Sequence, residues 1–242
     1  MTIACIIPAR FNSSRFPGKL LAKAKGKTVL ERTFVSALSH FRPEQLFVAT
    51  DDERIADHVR GLGGQVVMTS PAWVNGTERI AEAVEKTPAL KDVEIVVNLQ
   101  GDHPCTKGAT LEAAVNVLLQ DPTAVMSTVA TKLHSIEQFL SPHIVKVVVD
   151  RHQNALYFSR APIPYTKSSL PHNALHHIGL YVFRRQFLLD YVRMPTTELQ
   201  RLEDLEQLKV LENGHKIKVA VVDETPIGVD TPQDLVQLER ML

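Results

Sequence analysis

The segment Pro8-Ala9-Arg10-Phe11-Asn12-Ser13-Ser14-Arg15-Phe16-Pro17-Gly18-Lys19 spaces three cations, Arg10, Arg15 and Lys19, among small residues and one glycine. Arginine grips phosphate oxygens in a bidentate fork and lysine adds a point charge. Backbone N–H groups of such a loop complete an anion cradle. The loop follows an apolar run, Ile3 to Pro8, and open α/β sheets gather ligands beyond the carboxyl ends of their strands. It is not a Walker A loop, because Leu20 follows Gly18-Lys19 and no glycine lies five residues before Gly18. A solvated basic loop is the plain alternative. Two acids complete the pattern: Asp102 ends an apolar run at Gln100-Gly101-Asp102, and Asp230 follows Ile227-Gly228-Val229. Hard carboxylate oxygens from two loops, with phosphates and water, are what Mg²⁺ accepts. Singly, each acid fits a turn or a helix start equally well.

Other groups carry weaker signals. Arg79 lies in Asn75-Gly76-Thr77-Glu78-Arg79, a turn entering a helix, where a cap and a solvated arginine suffice. Arg160 stands just past a strand and suits a substrate carboxylate. His176-His177 lack further Cys or His at zinc-ligand spacing, which excludes a structural zinc. The run Glu203-Asp204-Leu205-Glu206-Gln207-Leu208-Lys209 reads as an ordinary amphipathic helix surface. Neither a G-x-S-x-G elbow nor a G-x-G-x-x-G fingerprint occurs, which argues against an α/β-hydrolase nucleophile and a nicotinamide site.

The elements that must position these groups alternate short β-branched runs with helical periodicity, the pattern of βαβ units. Strands are expected at Ile3–Pro8, Leu46–Thr50, Gln65–Met68 and Glu94–Leu99. Helices are expected at Val29–His40, from Asp51/Asp52 to Leu62, Glu78–Lys86 and Thr106–Leu119, the last capped by Thr106. In the second half, strands at 124–130, 144–149, 155–158 and 178–183 lack helices between them, which implies mixed or antiparallel pairing and an arm for a partner, spanning about 124–184. A helix at Arg201–Leu211, a strand at Lys216–Val222 and a final helix opened by Thr231-Pro232 complete the chain. The expectation is an α/β, Rossmann-like, mostly parallel sheet flanked by helices, with no linker dividing residues 1–242.

The 242 residues carry 27 basic and 27 acidic side chains, a balance that argues against a nucleic-acid or anionic-membrane binder. A local basic pocket is compatible with it. Two cysteines, Cys5 and Cys105, are too few for a disulfide framework and read as reduced thiols. There is no readable signal peptide and no run near the ~18 apolar residues of a spanning helix, so a cytoplasmic protein is expected.

Taken in register, these segments resemble the cytidylyltransferases that load acidic sugars onto CMP: Pro8-Ala9-Arg10 … Ser14-Arg15-Phe16-Pro17-Gly18-Lys19, Ala49-Thr50-Asp51, Gly76-Thr77-Glu78-Arg79 and Asn98-Leu99-Gln100-Gly101-Asp102. Leu156 to Pro164, His177-Ile178-Gly179-Leu180-Tyr181, Leu205 to Leu211 and Gly228-Val229-Asp230-Thr231-Pro232 narrow the resemblance to the 3-deoxy-manno-octulosonate (KDO) cytidylyltransferase family. The resemblance implies transfer of CMP from CTP to KDO with Mg²⁺, a homodimer, and a product used for lipopolysaccharide. It further implies that Arg10 and Lys19 hold the triphosphate, alongside Arg15. Gln100 and the backbone at Pro8 and Ala9 would read cytosine, and Asp102 and Asp230 would bind the metal. Arg79, Arg160, His177, Tyr181, Glu206 and Gln207 would line the sugar pocket. The sequence departs from the family pattern at His103, where Glu is usual, at His176, where Arg is common, and at Tyr165-Thr166-Lys167, where many relatives carry Trp and Arg. A cytidylyltransferase for a sialic-acid-like sugar, or a nucleotide-binding regulatory module without turnover, are the alternatives.

Overall fold

The computed structural model describes residues 2–13, 16–73, 75–167, 173–224 and 227–242. The elements of the first half are β1 (Ile3–Ala9), a short hairpin of β2 (Lys23–Ala24) and β3 (Lys27–Thr28), α1 (Val29–Leu38), β4 (Leu46–Thr50), α2 (Glu53–Gly61), β5 (Gln65–Met68), α3 (Gly76–Lys86), β6 (Ile95–Asn98) and α4 (Gly108–Leu119). Every residue of β4 and β6 is buried, as is all of β1 after Ile3. Such continuous burial belongs to strands covered on both faces. The strands pair in parallel in the order β6-β1-β4-β5, with Ile6 opposite both Asn98 and Phe47. Helices α1, α2 and α3 pack on this sheet. Each starts on a side-chain cap: Thr28, Asp52 and Asn75 accept the N–H of Glu31, Arg54 and Glu78.

The second half holds β7 (Ala124–Lys132), α5 (Ile136–Leu140), β8 (Lys146–Val149), β9 (Ala155–Ser159), β10 (Leu175–Arg184), α6 (Arg185–Tyr191), α7 (Glu198–Glu203), α8 (Leu208–Glu212), β11 (Lys216–Val222) and α9 (Pro232–Met241). Here β7 runs parallel to β11 and antiparallel to β10, while β8 is antiparallel to both β10 and β9. The mixed pairing expected of this half is present. The chain forms two compact units: residues 1–111, 184–192 and 226–242 make one, and residues 112–183 and 193–225 the other. Each is assembled from separated segments, so no linker composition marks the division.

Three expectations need correction. Arg201–Leu211 is not one helix: α7 ends at Glu203, and Asp204 takes the left-handed conformation, φ 53° and ψ 51°, before α8 begins at Leu208. The run 203–209 is not a solvated surface either, since Leu205, Gln207, Leu208 and Lys209 are buried, and the Lys209 ammonium donates to the Met194 carbonyl at 3.3 Å. Thr106 does not cap α4, which begins at Gly108; its hydroxyl donates to the His103 carbonyl at 3.3 Å and closes the turn after Asp102.

Candidate active site

Lys19, Asp102 and Asp230 converge. The Lys19 ammonium lies 2.5 Å from Asp102 Oδ2 and 2.9 Å from Asp230 Oδ1. Gly18, at φ +72°, turns the chain into the 3₁₀ turn Lys19–Leu21, and its N–H donates to the Phe11 carbonyl at 2.9 Å, closing the loop behind Lys19. Asp102 follows β6 through Gly101, whose carbonyl accepts from Thr33 Oγ1 at 2.8 Å. A Cβ on Gly101 would lie 3.1 Å from the Pro8 carbonyl oxygen, so the close approach of the β1 and β6 ends favours glycine there. The Val229 N–H donates to the Asp102 carbonyl at 2.9 Å, which ties the segment bearing Asp230 to the segment bearing Asp102. Asp234 caps α9 together with Thr231 and also accepts the Asp230 N–H at 3.0 Å. Burial would lower the Lys19 pKa, yet the charges of both acids and their hydrogen bonds raise it above its ordinary value. Burial would likewise raise the Asp102 carboxyl, but His103, Lys19 and their contacts hold it below the usual range.

Beside this cluster lies a pocket lined by Pro8, Ala9, Arg10, Lys19, Leu20, Asn75, Gly76, Arg79, Gln100, Gly101 and Asp102. It gathers every expected nucleotide-binding residue except Arg15, which lies outside the described residues. Gln100 donates to Asn98 Oδ1 at 3.2 Å, and a Cβ on Gly76 would stand 3.3 Å from its amide and 3.1 Å from Pro8 Cγ. A larger residue at 76 would therefore press on Pro8 and Gln100 and shift them by a few tenths of an ångström. Arg79 is buried, pairs with Asp51 at 3.1 Å and donates to Thr69 Oγ1 at 2.6 Å. Burial pulls its guanidinium below the ordinary pKa, Asp51 opposes this, and the like charge of Arg10 adds to it. Two arginines close enough to repel favour an anion between or beside them. Leu20, Asn75, Gly76 and Gly101 also line the pocket and were not named as binding residues from the sequence; the signals available were the cap at Asn75 and the segments beginning at Gly76 and ending at Asp102.

The remaining expected sugar residues lie in the other unit, in two groups. His177, Tyr181 and Gln207 touch one another: Tyr181 donates its hydroxyl to Gln207 Oε1 at 3.1 Å, and Gln207 Nε2 lies 3.5 Å from His177 Nδ1. Glu206 is half-buried next to Gln207. Arg160 is engaged differently. Its guanidinium donates to the carbonyls of Glu203, Pro142 and Asp204 at 2.8, 3.2 and 3.3 Å, and its N–H donates to Glu203 Oε2 at 2.8 Å. The Ser159 hydroxyl donates to Glu203 Oε1 at 2.5 Å, so Glu203 closes the end of β9. Glu203 and Thr128, which meets His177 Nε2 at 2.9 Å, support these two groups and were not singled out from the sequence. The first sat in a stretch dense with charge, and the second in an uninterrupted strand.

A carboxylate pair bridged by one cation, next to a pocket edged with arginines, suits a polyanionic substrate and a divalent ion. The cytidylyltransferase family profile matches residues 4–217. A 3-deoxy-manno-octulosonate cytidylyltransferase of Protochlamydia amoebophila is 49% identical over 240 residues, covering 98% of this chain and 93% of its own. Another from Syntrophotalea carbinolica is 45% identical, covering 100% and 99%. The solved structure of a CMP:2-keto-3-deoxy-manno-octonic acid synthetase complexed with CTP superposes with a TM-score of 0.92 at 35% identity, over 100% of this chain and 98% of that one. With relatives this similar from end to end, the chain belongs to the 3-deoxy-manno-octulosonate cytidylyltransferase family.

Proposed function

We propose that this chain transfers CMP from CTP to KDO, releasing diphosphate, with the nucleotide in the pocket between Pro8 and Asp102. The convergence of Asp102 and Asp230 on a single cationic centre beside that pocket is the observation that carries the reading. The anomeric hydroxyl of KDO is the nucleophile and the α-phosphorus of CTP the electrophile. A bond forms from that oxygen to the α-phosphorus as the hydroxyl proton passes to solvent, and the bond from the α-phosphorus to the oxygen that bridges it to the β-phosphorus breaks, that oxygen leaving as a terminal oxygen of diphosphate. Little covalent work falls to the protein, so its residues contribute position and charge. Arg10 and Lys19 offset the triphosphate charge that repels an incoming oxygen. Gln100 and the ends of β1 hold the base, and the His177, Tyr181 and Gln207 group, with Arg79, Arg160 and Glu206, serves the sugar.

Asp102 and Asp230 would hold Mg²⁺. The fit rests on the donor set: two hard carboxylates from separate segments that already share a cation, the Lys19 ammonium. Such a site leaves room for phosphates and water in the ion's shell, as Mg²⁺ prefers. When bound, the ion supplies Lewis-acid charge stabilisation. The product would serve lipopolysaccharide assembly in the cytoplasm, and the protein would work as a homodimer; no helix among the described residues is long and apolar enough to cross a membrane.

The test is diphosphate release from CTP with KDO, with a nine-carbon acidic 2-keto sugar, and with no sugar, each with Mg²⁺ and with a chelator. Release with KDO and Mg²⁺ alone is expected. CTP binding without any turnover, or preference for the nine-carbon sugar, overturns the reading.

A further inference from the structure

Thr128 is fully buried on β7, and its single hydroxyl faces three partners: the Leu180 carbonyl at 2.8 Å, the Ile178 carbonyl at 3.2 Å and His177 Nε2 at 2.9 Å. A bulge in β10 brings this about. Its register with β7 is broken between Ile178 and Tyr181, so two carbonyls of the bulged segment reach the same side chain. Both carbonyls are acceptors only, and the hydroxyl has one proton. Were Nε2 bare, that proton could serve either the ring nitrogen at 2.9 Å or the Leu180 carbonyl at 2.8 Å, and the other contact would set lone pairs face to face. A proton on Nε2 places a hydrogen in both contacts, with Nε2–H donating to Thr128 Oγ1 and the hydroxyl donating to a carbonyl.

The assignment propagates. The group 3.5 Å from Nδ1 is the Gln207 amide nitrogen, a donor only, so Nδ1 accepts and the ring's one proton is that on Nε2. That leaves Gln207 Oε1 as the acceptor of the Tyr181 hydroxyl at 3.1 Å. The chain of bonds runs one way, from Tyr181 through Gln207 and His177 to Thr128 and a backbone carbonyl. Phe158, edge-on to His177 with ring centroids 4.9 Å apart, holds the imidazole plane. Reversing the tautomer would set Nε2 lone pair against the threonine oxygen and put two donors face to face at Nδ1 and Gln207.

We propose that Thr128 is a positioning residue for the sugar pocket: its hydroxyl fixes His177 as the neutral, Nε2-protonated tautomer and so sets the donor direction of the His177–Gln207–Tyr181 group. The consequence for the sugar rests on the proposal that these three residues meet KDO; the tautomer itself does not.

Histidine ¹⁵N–¹H correlation spectra of the free protein read the tautomer directly. His177 is expected to show a protonated Nε2 and a bare Nδ1; a protonated Nδ1 overturns the proposal, whether or not any variant folds. Thr128→Val removes the acceptor and keeps the shape. It is expected to lose the fixed tautomer and to raise KM for KDO about 10-fold, with KM for CTP within about 2-fold. Thr128→Ser restores both. An unchanged tautomer in Thr128→Val overturns the proposal. If the tautomer changes but KM for KDO does not, His177→Ala separates the causes: a raised KM there sinks the positioning role of Thr128, and an unchanged one sinks the assignment of His177 to the sugar.

Discussion

Replacing Lys19 with methionine strikes the centre of the site, removing the charge while leaving an unbranched side chain of similar reach. The Lys19 ammonium sits 2.5 Å from one carboxylate oxygen and 2.9 Å from the other, so those oxygens are about 5 Å apart or closer. Two unit negative charges at about 5 Å repel by about 3 kcal/mol at an effective dielectric constant near 20, and by under about 1 kcal/mol in bulk water. The Asp102 side chain is 24% exposed and that of Asp230 45%, so the site lies between these limits. Lys19→Met should therefore lower the unfolding free energy by about 1–2 kcal/mol in the presence of a chelator, measured by denaturant titration. Mg²⁺ should then act unequally. In the parent protein it must displace an ammonium from the two carboxylates, whereas in the variant it meets them bare, so added Mg²⁺ stabilises the variant by the larger increment. Turnover should move the other way, falling about 100-fold, because a cation that faces the triphosphate is gone. Equal unfolding free energies in chelator, or equal Mg²⁺ increments in the two proteins, would show that Lys19 is not the counter-ion of the acid pair.

Asp102→Asn and Asp230→Asn should each lower diphosphate release by about 100-fold or more while the circular dichroism spectrum stays that of the parent; near-normal release in either variant removes that acid from the metal site. Glu203→Ala leaves the Ser159 hydroxyl and the Arg160 N–H at the end of β9 without their shared acceptor. A loss of about 1.5–3 kcal/mol in denaturant unfolding is expected, with Glu203→Gln, which keeps an oxygen acceptor, losing less. Equal stability of Glu203→Ala and the parent would show that Glu203 does not hold the Arg160 turn.

β4, β5 and β11 fall on the residues read from sequence, and β1 and β6 within one residue at either end. For β1, β4 and β6 the reason is a run covered on both faces, which leaves no solvent-facing position to blur its limits. β5 and β11 carry exposed or half-exposed positions, and β5 is bounded instead by Gly63-Gly64 before it. β10 was read three residues late, since His176 and His177 interrupt the apolar run although both pair with β7. The break between α7 and α8 was hidden for another reason. A left-handed turn is usually announced by glycine, and here Asp204 makes it, so the charge pattern on either side joined into one helix. The burial of Lys209 shows the same limit: charge density along a sequence says nothing of whether a long side chain finds a carbonyl inside.

For the site, residue types singled out Lys19, Asp102 and Asp230, which the fold brings together, and were silent about their partners. Lys19 was read as a phosphate ligand and the two acids as metal ligands, which leaves open that, without substrate, the lysine and the acids satisfy one another. That bridging follows from the backbone. The Val229 N–H to the Asp102 carbonyl and the Asp230 N–H to Asp234 are what bring the second acid alongside the first, and neither depends on the identity of the side chain at 229. The legible part of this construction is Thr231-Pro232 with Asp234, an ordinary helix start. Because Asp234 accepts from both Asp230 and Thr231, the cap of α9 and the placement of the second acid are one structure. A helix-start signal directly after an acid thus carries more weight than either feature alone: the cap fixes the acid's backbone, and a fixed backbone is the condition for a carboxylate to reach a partner contributed by a distant strand.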